Sequence, residues 1–340
     1  MPLYNGRSAN RVMLLEEAYT CFSLQIKHNV VHGIRKKRRR WDGNMETFLT
    51  VIVCWVAANG VQRLWIAWRQ WRWEKINPRD ADGLLEKAAA STLGSGPIAL
   101  LMIHGFADTP AVWLRMATRL AGTGRFTCRL MRLPGTGQRA WPGGFPALDA
   151  WRAAIDTEVE ALAASHRTVW MVGHSMGGAL TIDAAARHPQ RVAGIALLAP
   201  LVRVSRAHYP LLPPRIWFGV AQVAFALSGM LESCFAPSER AADNPDFSYH
   251  RDRFLPFQLY LNMFRIVAEN QQRKAVLDCP VYLAVSERDH TVDSAAACAW
   301  QQAFCTGPKA VRRLPEHTHV IPLEPGWQAL TDEIAAFIEA

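Results

Sequence analysis

The sequence has no closely spaced cysteines. Its seven cysteines are scattered, and no Cys-X-X-Cys pair or metal-ligand spacing occurs among the 340 residues. An odd, scattered set does not make a disulfide framework, and a zinc site needs closely spaced ligands. Most of these cysteines are therefore expected to be small buried apolar side chains. Neither a metal nor a cofactor is expected.

The sequence also lacks an even spread of positive charge. The net charge is +9, yet residues 35–40 alone carry six positive charges and the remaining chain is near balance. A basic cluster beside an apolar stretch is typical of a membrane-flanking segment rather than of a groove for phosphates. A solvated tail is the alternative for the charged run. No nucleic-acid partner is expected.

No uninterrupted apolar run reaches the ~20 residues needed to cross a bilayer. Residues 48–58 carry no charge, and residues 47–68 reach that length only by including three polar side chains, Asn59, Gln62 and Arg63. Nearby tryptophans suit a membrane interface, and no small-residue cleavage site indicates a signal peptide. We predict an anchor helix within residues 45–76 that contacts a membrane through 47–68. A core helix is the alternative.

The side of the membrane stays open. Lysine and arginine are more frequent before the apolar run, between Arg7 and Arg40, which would place the C-terminal part outside the cytoplasm. If Met45 is the true start, the charges after the run favour a cytoplasmic C-terminal part instead. An interfacial helix is the third possibility. A bacterial inner membrane is the expected location.

The pattern predicts four parts: a basic, disordered segment (1–44), the anchor (45–76), a linker (77–97) and a large domain (98–340). In the last part, apolar strand-like runs alternate with helical ones, which predicts an α/β fold with a mostly parallel sheet covered on both faces. The predicted strands are 98–103, 126–133, 168–172, 192–198, 281–285 and 310–314, and the predicted helices are 147–165, 176–187, 294–304 and 327–338. An apolar, proline-containing insertion at about 200–256 interrupts this alternation and predicts a cap.

A Gly-X-Ser-X-Gly motif centred on Ser175 follows the third of these strands. A serine hydroxyl is a poor nucleophile and needs a base, an orienting acid and donors to the developing oxyanion. Between a strand and a helix this motif is a nucleophile elbow, whose tight turn needs small residues at 173 and 177. The motif predicts the α/β-hydrolase fold with Ser175 as nucleophile.

The loop after the first strand of this domain, His104-Gly105-Phe106, is the expected second part of the oxyanion hole. The backbone N–H groups of Phe106 and Met176 are the predicted donors. His104 is expected to brace the loop rather than to transfer protons.

The acid and the base are expected after the last two strands, where parallel strand ends converge on a ligand. Asp289 is the preferred acid and Glu287 the alternative, because both follow the strand 281–285. Two histidines, His317 and His319, follow the final strand as candidate bases. The order Ser, Asp, His is that of α/β-hydrolases.

Residues 98–339 resemble the carboxylesterase and monoacylglycerol-lipase branch of the α/β-hydrolase superfamily. The matching stretches are HGFADTP (104–110), RLPGTGQ (132–138), GHSMGG (173–178), SERDHTVD (286–293) and THVIPLE (318–324). The resemblance implies that His319, which precedes Val-Ile, is the base and that Asp289 is the acid. Thr136 stands where many relatives have histidine.

The predicted activity is hydrolysis of carboxylic esters by Ser175, Asp289 and His319 through an acyl-enzyme. The apolar cap and the anchor favour lipid-like or medium-chain acyl esters over small soluble ones. A thioesterase or a peptidase on the same fold stays open. So does a membrane-tethered binding protein without catalysis.

Overall fold

The computed structural model describes residues 44–140, 144–207, 211–233 and 251–340, together with His32. The segment predicted to be disordered, residues 1–44, lies outside these residues except for His32 and Asn44. Parts of the predicted cap, at 208–210 and 234–250, also lie outside them. The chain divides into two compact units, Met1–Ala58 and Asn59–Ala340.

A seven-stranded sheet forms the centre of the second unit. Its strands are β1 (Ser91–Leu93), β2 (Ile98–Ile103), β3 (Phe126–Met131), β4 (Thr168–His174), β5 (Gly194–Leu198), β8 (Val281–Ser286) and β9 (Lys309–Leu314), while β6 (Met230–Glu232) and β7 (Phe254–Pro256) form a separate antiparallel pair. The order in the sheet is β1-β3-β2-β4-β5-β8-β9. All neighbours are parallel except β1 and β3. The predicted mostly parallel sheet is confirmed.

Helices cover both faces of the sheet. The helices of the described residues are α1 (Asn44–Glu74), α2 (Leu114–Ala121), α3 (Leu148–Ser165), α4 (Met176–Arg187), α5 (Pro214–Ala224), α6 (Phe257–Arg273), α7 (Ser294–Phe304) and α8 (Trp327–Glu339), and α1 and α5 lie outside the sheet layers. Helix α2 packs against α8, whereas α3, α4 and α6 pack against one another. Strands β2 and β5 are apolar along their whole length because both of their faces are covered.

The segment predicted as a linker, residues 77–97, contributes to the second unit. It contains β1, which pairs with β3, and it buries Leu85 and Ala88 completely or nearly so. Leu85 N–H also donates to the carbonyl of Gly137 at 2.8 Å. These residues therefore pack with the sheet, and the division into domains stays a prediction.

The part of helix α1 that belongs to the second unit has two different faces. Asn59, Ile66 and Gln70 are buried. The amide of Asn59 donates to Ala224 O at 2.9 Å and accepts from the N–H of Leu227 at 3.0 Å, at the end of α5. The opposite face exposes an apolar stripe at helical spacing, made of Val61, Leu64, Trp65, Trp68 and Trp71.

Candidate active site

Ser175 lies in a sharp turn between β4 and α4. Its backbone has φ +54° and ψ −119°, in the left-handed region that side chains rarely adopt. The turn requires glycine on both sides, because a Cβ at Gly177 would lie 2.1 Å from Ile103 O and one at Gly173 would lie 2.4 Å from Thr181 Oγ1. The turn projects Ser175 from the carboxyl end of the sheet, as the motif predicted.

Three predicted site residues meet at this edge. His319, in the loop after β9, has its Nε2 2.8 Å from Ser175 Oγ and its Nδ1 2.8 Å from Asp289 Oδ2. Asp289 lies in the loop after β8, and its side chain is fully buried. Because β4, β8 and β9 run parallel, the loops after them reach the same edge of the sheet. The arrangement can pass a proton from the hydroxyl to the imidazole and hold the resulting cation.

Asp289 is suited to remain ionised. Burial would raise the pKa of its carboxyl, but the charge of His319, the hydrogen bond from its ring and two backbone N–H groups together hold the pKa below its usual value. The two N–H groups, of Thr291 and Val292, lie 2.7 and 2.9 Å from Oδ1. One carboxylate oxygen is thus fixed by backbone, and the other is directed at the imidazole.

The two alternative residues lie elsewhere. Glu287 is exposed, and its N–H donates to Leu314 O at 3.2 Å in continuation of the sheet. The carbonyl of His317 accepts the hydroxyl of Ser286, and its ring lies 3.9 Å from the position of a Cβ on Gly326. The ring that contacts Ser175 and Asp289 is that of His319.

The predicted oxyanion donors flank the serine. Met176 begins α4 directly after Ser175, and the positive end of that helix favours an anion. The loop after β2 lies beside the serine as well, since a Cβ on Gly105 would be 3.2 Å from Ser175 Cβ. Phe106 follows in this loop and is buried.

His104 connects two loops. Its Nδ1–H donates to Gly105 O at 3.0 Å, and its Nε2 accepts the N–H of Leu133 at 3.2 Å. Burial lowers the pKa of His104 to about 4, the effect of Arg132 adds to this, and only the hydrogen bond to Gly105 opposes it. The ring is therefore neutral near pH 7. The hydroxyl of Thr136, which stands where many relatives have histidine, lies 3.3 Å from Nε2.

Sequence reasoning missed His174. Its Nε2 lies 2.9 Å from the carbonyl oxygen of His319, so the residue before the serine contacts the backbone of the histidine that the serine contacts. Burial, together with the charge of His319, lowers the pKa of His174 to about 3. Nothing in the sequence connects two histidines 145 positions apart.

Sequence reasoning also missed a buried carboxyl, Asp108. Burial raises its pKa to about 6 against the opposing effects of Arg251, the N–H of Thr109 and His319. Its Oδ1 accepts that N–H at 2.9 Å. The effect of His319 on this pKa indicates that Asp108 lies near the site. Within the described residues, no group of three or more His, Cys, Asp or Glu could hold a metal ion.

Comparison with known proteins places the chain in a family. Residues 97–326 match the family described as serine aminopeptidase, S33. The chain is 26% identical over 230 residues to a thermostable monoacylglycerol lipase of Bacillus sp. (strain H-257). The aligned region covers 68% of this chain and 86% of the relative.

Two solved structures share the fold. One belongs to work on LipS and LipT, two metagenome-derived lipolytic enzymes, with TM-score 0.62, 23% identity and coverage of 75% of this chain and 99% of that one. The other is a monoacylglycerol lipase of Paleococcus ferrophilus, with TM-score 0.59, 18% identity and coverage of 73% and 98%. The chain is an α/β-hydrolase of the lipase and esterase type, similar to monoacylglycerol lipases, and it belongs to the serine aminopeptidase S33 family.

Proposed function

We propose that the protein hydrolyses carboxylic esters through Ser175, His319 and Asp289. The observation that carries the proposal is the continuous hydrogen-bond chain Ser175 Oγ–His319–Asp289, with both contacts at 2.8 Å. Its parts come from three separate loops, and an elbow with φ +54° holds the serine. Backbone strain of this kind persists where the surrounding structure enforces it, often at active sites.

In the proposed reaction, His319 Nε2 takes the proton of Ser175 as Oγ bonds to the ester carbonyl carbon. The carbonyl oxygen becomes an oxyanion that the N–H groups of Phe106 and Met176 stabilise. His319 then returns the proton to the leaving alcohol as the C–O bond breaks. A water then gives a proton to His319 as its oxygen bonds to the acyl carbon, and the bond from that carbon to Ser175 Oγ breaks as His319 returns the proton to Oγ and the carboxylic acid leaves. Asp289 orients the ring and stabilises its cation throughout.

Lipid-like acyl groups are the proposed substrates. Three aromatic rings follow one another from the proposed oxyanion loop into the cap: Phe106 and Tyr260 have ring centroids 4.9 Å apart, and Tyr260 stacks on Phe218 of α5 at 5.1 Å. An apolar wall of this kind favours an acyl chain over a charged group. The names of the relatives, among them a monoacylglycerol lipase, support the same substrate class.

A membrane is the proposed location, with contact through residues 47–68. Helix α1 is long and apolar enough to cross a membrane by length and composition. Its exposed tryptophans carry cations over their rings, with Arg72 5.0 Å from Trp68 and Lys75 3.7 Å from Trp71. Tryptophan with arginine or lysine is typical of a membrane interface. The outer face of α5 is also apolar, with Ile216, Val220 and Val223 exposed.

The experiment is a panel of p-nitrophenyl esters of increasing acyl length, together with a monoacylglycerol. We expect turnover that rises with acyl length beyond acetate and that Ser175→Ala lowers by about 10³-fold or more. Ser165→Ala, at the exposed end of α3, is the matched control and should keep wild-type activity. Wild-type turnover by Ser175→Ala would overturn the mechanism.

Three other functions can be tested with the same protein. A peptidase, which the family description suggests, would release p-nitroaniline from aminoacyl anilides, and we expect no such release. A non-catalytic binding protein would leave Ser175 unlabelled by a fluorophosphonate, whereas we expect stoichiometric labelling. A thioesterase would prefer acyl thioesters to the oxygen esters of equal length.

A further inference from the structure

The chain segment that precedes β7 contacts the proposed oxyanion loop. Arg251 Nη2 donates to the carbonyl of Phe106 at 3.0 Å. The N–H of the next residue, Asp252, donates to the carbonyl of Ala107 at 3.1 Å. Two consecutive residues thus hold two consecutive carbonyls of the loop that follows β2. The loop is fixed by a segment about 145 residues further along the chain.

The loop needs external support because its backbone is strained. Ala107 has φ +55°, a left-handed conformation for a residue with a Cβ. Such conformations are unfavourable and persist only where neighbouring contacts enforce them. The hydrogen bonds from Arg251 and Asp252 bind the carbonyl groups of the two peptide units on either side of Ala107. They therefore act at the strained position itself.

Asp252 is itself anchored on its other side. Its Oδ2 accepts the N–H of Gly137 at 2.7 Å, and Arg79 lies 3.6 Å from its Oδ1. Arg79 Nη1 also donates to Gly137 O at 2.8 Å, and its Nε lies 3.2 Å from Glu74 at the end of α1. Burial raises the pKa of Asp252 to about 6 against the opposing effects of Gly137 and Arg79. The contacts with Gly137 and Arg79 therefore fix the position of the segment that binds the loop.

The contact is placed where it can matter for catalysis. Arg251 binds the carbonyl of Phe106, which belongs to the peptide unit directly after the N–H assigned to the oxyanion hole. A displacement of that unit shifts Phe106 and with it the neighbouring unit that carries the donor, and losing one such donor typically costs 10²–10³-fold in kcat. A displacement of about 1 Å is enough for a large loss.

We propose that Arg251 is a positioning residue that keeps the Phe106 N–H aimed at the oxyanion. The inference rests on the proposed ester hydrolysis and adds a role for the chain that returns from the cap. Arg251 touches neither the reacting atoms nor the serine–histidine–aspartate chain through any hydrogen bond described above. Its hydrogen bond to Phe106 O acts on the loop, and its charge also favours the ionised forms of Asp108 and Asp252.

The test compares Arg251→Ala with Arg253→Ala. Arg253 lies two residues further along, and its Nε donates to Glu232 at 2.7 Å instead of to the loop. We expect Arg251→Ala to lower kcat by about tenfold or more, with KM within about twofold, because the donor acts on the transition state. Arg253→Ala should keep both parameters. Arg251→Lys, which retains a donor, should recover part of the kcat.

A second readout separates positioning from loss of structure. A trifluoromethyl ketone forms a tetrahedral adduct with the serine and places an oxyanion in the hole. Its inhibition constant should rise in Arg251→Ala by the same factor as kcat/KM falls, while the melting temperature and the fraction of labelled Ser175 match those of Arg253→Ala. If Arg251→Ala does not fold, Arg251→Lys and Arg251→Gln are compared with Arg253→Ala in the same way.

The outcomes are distinguishable. Equal kcat and equal inhibitor affinity in Arg251→Ala and Arg253→Ala, with an active wild type, would overturn the positioning role and leave the proposed hydrolysis standing. A kcat loss without weaker inhibitor binding would overturn it as well. A wild type that hydrolyses no ester and takes no fluorophosphonate would overturn both.

Discussion

The Nε2 atom of His174 lies 2.9 Å from the carbonyl oxygen of His319. Since burial holds the pKa of His174 near 3, the ring is neutral and donates this hydrogen bond from Nε2–H. The residue before the proposed nucleophile thus sets the backbone position of the proposed base. A ring centroid distance of 5.1 Å between the two histidines gives a second contact.

His174→Phe should keep the volume of the ring and remove that donor. We expect a several-fold lower kcat for ester hydrolysis, because the loop that carries His319 loses one of its fixed points. Steady-state kinetics with a p-nitrophenyl ester measures the effect. His166→Phe, at the end of α3, serves as the control, and equal rates for the two variants would contradict the prediction.

His319→Ala should match the loss of Ser175→Ala, about 10³-fold or more. His317→Ala should retain most activity, because the ring of His319 is the one 2.8 Å from Ser175 Oγ. Both variants are compared by kcat/KM on one ester. The reverse pattern would transfer the role of base to His317.

Asp289→Asn should lower kcat by several orders of magnitude, with about 10⁴-fold known for the equivalent change in a serine protease. The amide cannot stabilise the imidazolium, and it allows the wrong tautomer of His319. Glu287→Gln, an exposed change at the end of the same strand, is the control. If Glu287→Gln lost its activity while Asp289→Asn stayed active, the role of the acid would pass to Glu287.

Acid should destabilise the protein through His104. Its folded pKa of about 4 lies below the unfolded value near 6.5, so the unfolded state binds more protons between these values and stability falls as pH falls. From pH 7.5 to 5 this amounts to on the order of 2 kcal/mol. Urea denaturation at both pH values measures it. His104→Gln should reduce the loss of stability by about that amount and leave the contribution of His174, whose folded pKa is also low, whereas exposed His290→Gln should not change the loss; a slope unchanged by His104→Gln would refute this origin.

Removal of residues 1–58 should weaken binding to membranes, because the most apolar part of the proposed contact at 47–68 is lost, and it should keep the second unit intact. Cutting further, to residue 76, would also remove buried Ile66, at a cost of about 1.5–3 kcal/mol for such a side chain. Co-sedimentation with vesicles of phosphatidylcholine and phosphatidylglycerol measures binding. A truncation of residues 1–43 is the control and should still bind. Equal sedimentation of the full chain and the 1–58 truncation would contradict the prediction.

The sequence predicted the parts of the fold whose pattern is local. The uncharged run at 98–103 and the glycines around Ser175 specify a buried strand and a tight turn by themselves, and both lie where expected. Strand β1 was missed, since three residues give no period. Helix α6 was not predicted either, although its buried residues, Leu259, Asn262, Met263 and Ile266, follow helical spacing.

Contacts between distant segments could not be predicted. The arrangement of Ser175, Asp289 and His319 follows from a rule of parallel sheets, because each residue comes after its own strand. No such rule connects Arg251 to Phe106 or His174 to His319 O. Those contacts depend on where an insertion returns and how two loops pack.

The hydrogen bonds of Asn59 limit how deeply helix α1 can enter a lipid bilayer. While Asn59 remains bound to Ala224 and Leu227, only residues 44–58 of the described helix are free to enter the hydrocarbon core, whereas the exposed tryptophans further along can contact only its interface. At 1.5 Å per residue they reach about 22 Å, more than the ~15 Å of one leaflet's hydrocarbon and less than the ~30 Å of both. We expect a helix docked in this way to be monotopic, so that the distribution of lysine and arginine around it would not determine a topology.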